Sequence, residues 1–307
     1  MLLVREILIL YKKRMINYNP KSWIKLIFAF HKADTFRILW KEILYIGLFT
    51  LGVAWVELHY FPNAVVLEKL IAVYSLIGFV ISLLLVFRTN TAYDRWWEGR
   101  KKWGDVVNDS RNLSIKLSGV VATADDRDFF SRMIPNFAFS MKEQLRTGVA
   151  LDELELKEVE RAFLESRAHI PMSIIQLMYG RVRSLRHEKT IEEADLIAID
   201  RCLNSLMDCM GACERIRNTP IPFSYSLFLK KFIFIYVTTL PLAFVNIFGY
   251  AAALIATFVF YVLVSMEVLA EEIEDPFGID DNDLPTDQIA EKIKQHCREI
   301  MSAKEAV

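Results

Sequence analysis

The stretch Gly78–Gly104, GFVISLLLVFRTNTAYDRWWEGRKKWG, changes character in one step. It carries no charge as far as Phe87 and is densely charged from Arg88 on, with Trp96 and Trp97 just past the seam. The charge-free run behind the seam begins at Leu70. At about 1.5 Å per residue, Leu70–Phe87 is roughly 27 Å long, close to the ~30 Å of a bilayer's hydrocarbon core. No turn residue stands at the join, and Thr89, Asn90 and Thr91 are polar but compatible with a helix. The reading that decides the fold is a membrane helix that does not stop at the membrane surface.

The rest of the chain extends that reading. It has 307 residues, of which 53% are hydrophobic. Phe232–Met266 is a second charge-free run, too long for one crossing and suited to two, with Asn246–Gly249 as the turn. Ile43–Val56 is a shorter run that reaches spanning length only if it extends back towards Ile38. Four membrane segments follow, approximately 38–58, 70–88, 224–246 and 249–267. Arg88, Arg95, Arg100, Lys101 and Lys102 follow the second segment, and Lys230 and Lys231 flank the third. Residues 1–42 are also basic, whereas the two short hairpin tips are nearly free of Lys and Arg. The positive-inside rule then places both termini and the long middle segment in the cytosol. Cytosolic parts are expected at 1–37, 89–222 and 268–307. The opening MLLVREILILYKKR has charges inside its apolar part, and reads as a surface amphipathic helix rather than a signal peptide.

The net charge of −1 gives no global field that favours nucleic acid. Cys202, Cys209, Cys213 and Cys297 all fall on the expected cytosolic side, where structural disulfides are rare. Cys202, Leu206, Cys209 and Cys213 repeat at helical spacing, as a packed stripe would.

Beyond Gly104 the pattern is helical. Asp125-Asp126 reads as the cap of a helix starting near Arg127, with Pro135 bending it. Leu154–Ala168 has helical periodicity, and Pro171 suits the first turn of Met172–His187. Thr190 and Glu193 match a capping box opening a helix to about Arg217. A last helix begins near Pro285-Thr286 with Ile289, Ile293, Cys297 and Ile300 on one face. There is no repeat and no Gly/Ser linker, so the chain 1–307 is expected to form one integrated all-α unit.

Three constellations stand out. Phe79, Leu83 and Phe87 are spaced i, i+4, i+8 and form one stripe on the second span. In TPIPFSY, Thr219–Tyr225, two prolines fix the backbone on either side of Ile221. EEIEDPFGIDDNDLPTD, Glu271–Asp287, clusters carboxylates around a Pro-Phe-Gly turn; such oxygens can bind Ca²⁺, but the spacing is not that of an EF-hand. Each also has a plainer use: lipid-facing packing, a connection between two helices, and a solvated acidic loop. No GxSxG, P-loop, dinucleotide fingerprint or HExxH is present, so no enzyme is indicated.

FRTNTAYDRWWEGRKKWG, then IPFSY, then EDPFGIDDNDLP, each after a hydrophobic segment, together resemble the bestrophin family, its prokaryotic branch especially. The resemblance covers about residues 20–300. It implies an all-α, multi-pass protein of the bacterial inner membrane, assembled as a homopentamer around a central pore. It implies that Phe79, Leu83 and Phe87 form the hydrophobic neck and Ile221 the cytosolic aperture. It also maps the calcium-clasp positions of the animal members onto Glu272, Asp275, Asp280 and Asp283. Glu272 and Asp275 stand where amides are found in that pattern, and Asn282 interrupts the aspartates. This departure argues against calcium gating and for a loop acting as a structural latch, with no other cofactor implied. The permeating species implied are inorganic ions, with chloride favoured and a monovalent cation (sodium or potassium) channel as the alternative. A non-conducting membrane scaffold, or a metal-binding membrane protein, is the remaining alternative. A narrow apolar ring gates by dewetting, because it offers an ion nothing to replace its hydration shell.

Overall fold

The computed structural model describes residues 35–61, 70–121 and 123–302. The expected amphipathic N-terminal helix and first hairpin tip lie outside the described residues. Every regular element among the described residues is helical. The chain divides into two compact units. One, the apolar unit, takes Pro220–Glu274 and the described residues up to Arg95; the other, the body unit, takes Trp96–Thr219 and the chain from Asp275 on.

The apolar unit contains α1 (Thr35–Tyr60), the first half of α2 (Leu70–Val120), α7 (Phe223–Thr239), α8 (Pro241–Phe248) and α9 (Ala252–Glu274). Its core gathers Ile46, Ile81, Leu85, Leu229, Ile233, Val237 and Leu263. Small residues let the helices approach. A Cβ on Gly47 would stand 3.3 Å from the Thr257 hydroxyl on α9, and one on Gly78 would meet the Tyr236 hydroxyl at 2.7 Å. The Tyr74 hydroxyl donates to the Thr239 carbonyl at 2.9 Å. Trp40, Leu44, Tyr45, Leu48 and Trp55 of α1 are exposed, an outer surface suited to lipid or to another subunit and costly in water.

Among the described residues, three helical stretches are long and apolar enough to cross a membrane: Thr35–Tyr60, Leu70–Val120 and Phe223–Glu274. The last has 52 residues, more than twice the ~20 that one crossing needs. It is broken in two places. Gly249, at φ +54°, provides the expected turn. The other break was not anticipated: α7 ends at Thr239 and Pro241 restarts the chain as α8, dividing the expected segment 224–246. Proline lacks the N–H that would continue the ladder, and here it opens a new helix in its first turn.

The body unit contains the rest of α2, α3 (Ala124–Gln144), α4 (Glu158–Glu165), α5 (Ile170–His187), α6 (Glu193–Asn218) and α10 (Thr286–Ser302). Its core includes Trp103, Leu113, Phe130, Phe137, Met178, Leu206, Phe277 and Ile293. Two caps differ from expectation. The N-cap of α3 is Thr123, whose hydroxyl accepts the Asp126 amide at 3.2 Å, and α3 runs on through Pro135. Asp125 and Asp126 occupy its first turn, where the helix dipole favours carboxylates. The N-cap of α6 is Glu192, paired reciprocally with Asp195, rather than Thr190 with Glu193. The helix expected over Leu154–Ala168 is confined to α4. Pro171 lies in the first turn of α5 as expected, and the cap there is the His169 Nδ1, which accepts the Met172 amide at 3.2 Å. The His169 Nε2 lies 2.8 Å from the Glu214 carboxylate, so this histidine holds the fold together.

Cys202, Cys209, Cys213 and Cys297 are buried and free. Burial pushes the Cys209 thiol up to about 12 and the Cys297 thiol up to about 11. The Cys209 and Cys297 thiols stay protonated at neutral pH, and Cys202, Cys209 and Cys213 are packed in the core as their stripe suggested.

Candidate pore-lining site

α2 is one helix of 51 residues, so the join at Phe87–Arg88 is uninterrupted. Three hydroxyls around the seam are satisfied on the helix itself. The hydroxyls of Ser82, Thr89 and Thr91 donate to the carbonyls of Gly78, Leu85 and Phe87 at 2.8, 2.9 and 2.9 Å. That back-bonding lets Thr-Asn-Thr follow an apolar run without ending the helix.

The helix has two distinct faces. Ile81, Leu85 and Arg88 are almost wholly buried, whereas Phe79 is 67% exposed, Leu83 45% and Phe87 56%. The stripe is therefore left out of the chain's own core. The scaffold alternative expects this stripe to be packed against its own helices, and it is not.

Arg88 was expected as a basic residue at the membrane surface, yet it is 1% exposed. Its Nη2 donates to the Glu274 carboxylate at 2.6 Å, and its Nε lies 3.7 Å from Glu267. Glu274 closes α9 and takes two further donors. Its other carboxylate oxygen accepts the Ile221 amide at 2.7 Å, and its carbonyl accepts Arg95 Nε at 3.1 Å. The elbow is tied to α2 a second time by the Tyr225 hydroxyl, which donates to the Leu84 carbonyl at 3.2 Å. Neither Arg88 nor Glu274 was singled out from the sequence. The available signal was opposite charge at the ends of two apolar runs, Phe87–Arg88 and Met266–Glu274, which must terminate at a common level to pair.

From Asp275 on, within the body unit, the acidic stretch is a folded turn. The Leu284 amide donates to the Pro276 carbonyl at 2.9 Å, and the Asp283 amide to the Asp280 carbonyl at 3.1 Å. Asp283 is buried, and its carboxylate accepts the Asp280 amide at 2.5 Å. Its Oδ2 stands where a Cβ on Gly278 would approach to 2.8 Å, which requires glycine there. Phe277 is buried against Gly99 of α2, whose Cβ would meet the ring at 3.0 Å. The Trp96 indole donates to the Asn282 carbonyl at 3.0 Å, so Trp96 packs inside the body unit, while Trp97 is about half exposed. Arg146 donates to the Phe277 carbonyl, the Thr286 hydroxyl and Asp287, and Lys142 reaches Asp287 at 2.7 Å. Burial alone would raise the Asp287 carboxyl, but hydrogen bonds from Arg146 and Lys142 outweigh it and hold the group down at about 2.

Among the described residues, no three His, Cys, Asp or Glu side chains gather to hold a metal ion. Of the candidate calcium positions Glu272, Asp275, Asp280 and Asp283, the last is committed to the loop's own backbone. Burial pushes its carboxyl up to about 7, with Asp280 and Asp275 adding to the rise.

Comparison with known proteins bears on this arrangement. The model of the "Bacterial/Fungal Bestrophin protein" family matches residues 15–299. The voltage-dependent anion channel-forming protein alr2987 of Nostoc sp. is 37% identical over 230 residues, covering 73% of this chain and 75% of that one. The voltage-dependent anion channel-forming protein sll1024 of Synechocystis sp. is 30% identical over 92% of this chain and 93% of its own length. The crystal structure of a bacterial bestrophin homologue from Klebsiella pneumoniae superposes with a TM-score of 0.77 at 28% identity, covering 85% of this chain and 98% of that one. With α2 running unbroken through the seam, the Pro-Ile-Pro elbow and the folded acidic turn in place, the chain belongs to the bacterial and fungal bestrophin family.

Proposed function

We propose that the chain is one subunit of a homopentameric channel that conducts inorganic anions, chloride among them, across the bacterial inner membrane. Each subunit crosses four times, twice within Phe223–Glu274, with both termini in the cytosol. Phe79, Leu83 and Phe87 supply three stacked apolar rings, and Ile221 a fourth constriction on the cytosolic side. The acidic loop acts as a latch within the body unit and needs no calcium.

The observation that carries the reading is the exposure of an all-apolar stripe on α2 beside a buried face on the same helix. A stripe at one helical period, left uncovered by its own subunit, is what a ring of copies places on its axis. Family membership supports a channel, and the names of the Nostoc and Synechocystis relatives support anions.

Two measurements test it. Native mass in detergent is expected to give five copies; a stable monomer overturns the assembly. Reversal potentials in asymmetric KCl, then with chloride replaced by a large organic anion, are expected to follow the chloride gradient. Potentials that follow the potassium gradient refute anion selectivity and leave the sodium or potassium channel of the same fold.

A further inference from the structure

The segment Pro220-Ile221-Pro222 has a single backbone donor, the Ile221 amide, because neither proline carries an N–H. That donor does not go to a neighbouring carbonyl, as a turn would have it. It goes to the side chain of Glu274, a residue 53 positions away. The prolines fix φ on either side, so this bond settles the remaining freedom of the residue between them. The carboxylate is itself held. Its second oxygen takes Arg88, which is buried and follows directly on Phe87, the last member of the exposed stripe. Charge-assisted bonds of this kind are short and directional. The Glu274 backbone is anchored again by Arg95, two turns further along α2.

We propose that Glu274 is a positioning residue that sets the Ile221 constriction and couples it to the neck helix. Resting on the reading of Ile221 as an aperture, the proposal adds the group that places it. One carboxylate separates the end of the neck from the backbone of the aperture. A displacement of α2 at Arg88 is transmitted to Ile221 through two hydrogen bonds, so the two constrictions do not move independently. Glu267 lies 3.7 Å from the Arg88 Nε, a second carboxylate beside the same guanidinium.

The test is a double-mutant cycle read by single-channel recording of the full-length protein in planar bilayers. The proteins are wild type, Ile221→Ala, Glu274→Ala and the double variant, each checked for the elution volume of the wild-type assembly. The expected result is that Glu274→Ala changes conductance or open probability by at least about twofold, the low end of coupling within one hydrogen-bonded network. That change is expected to disappear in the Ile221→Ala background, because Glu274 acts through that side chain. A purely structural role predicts the same change in both backgrounds, and that outcome overturns the proposal. Should Glu274→Ala fail to assemble, Glu274→Gln replaces it. The amide keeps an acceptor for Ile221 but withdraws the charge from Arg88, so a smaller change, again lost with Ile221→Ala, is expected; an unchanged channel overturns the coupling. If Ile221→Ala alone leaves conductance and gating unaltered, the aperture reading itself fails and takes this inference with it. If Ile221→Ala alters them and the Glu274 variants do not, only the inference fails.

Discussion

The acidic loop carries a pH dependence in one residue, Asp283. Its carboxyl is buried, faces the Gly278 backbone and is raised from the ordinary 3.8 to about 7. Between those two values the folded protein holds a proton that the unfolded chain has released. Stability on this account therefore falls as pH rises through the interval, and is flat above it. At about 1.36 kcal/mol per pH unit, the interval from 3.8 to about 7 corresponds to about 4 kcal/mol. Asp283→Asn removes the titration and keeps an oxygen to accept the Asp280 amide. The assay is thermal unfolding of the detergent-solubilised wild type and variant across the interval. The variant is expected to be the more stable protein at its alkaline end, with the difference closing towards its acid end. Parallel pH profiles for the two proteins, or a variant less stable at the alkaline end, refute the reasoning.

Other perturbations probe separate parts of the structure. Arg88→Met leaves the buried Glu267 and the partly buried Glu274 without their cation and is expected to cost about 3–5 kcal/mol in chemical denaturation, with the triple variant Arg88→Met, Glu267→Gln, Glu274→Gln recovering much of it. A single variant no worse than removal of Arg161 from its exposed pair with Asp152 contradicts the buried-triad reading. Gly99→Val drives side-chain atoms into the Phe277 ring and is expected to destabilise the body unit by about 1–3 kcal/mol by thermal unfolding. Cys209 and Cys297 are expected to resist iodoacetamide at neutral pH until the protein is denatured, and rapid labelling of the native protein by mass spectrometry contradicts their burial.

What could be read in advance followed physical signals that are local. The charge-free run from Leu70, and the absence of a turn residue at Phe87–Arg88, were enough to foresee a helix that continues past the seam. The Cys202–Cys213 stripe was legible from spacing alone. Pro241 was missed because apolar residues surround it, so hydropathy shows no break where the backbone ladder does. Caps slipped by two to three residues: Thr123 and Glu192 were chosen over their neighbours by backbone geometry, which composition does not show. Arg88 was read as a surface cation because its partners, Glu267 and Glu274, lie 179 and 186 positions away in the chain; a buried ion pair is invisible until both halves are placed. The acidic loop looked like a candidate cation site because its carboxylates are close in sequence. In the fold, Asp283 turns inward to its own backbone and Asp287 is taken up by Arg146 and Lys142.

The central claim is that Phe79, Leu83 and Phe87 face a permeation path rather than lipid. The most direct test is single-channel recording of Phe79→Ala, Leu83→Ala and Phe87→Ala in planar bilayers against the wild type. Widening an apolar ring lowers its dewetting barrier, so each substitution is expected to raise conductance or open probability. Three channels indistinguishable from wild type would place the stripe against the bilayer and contradict the account.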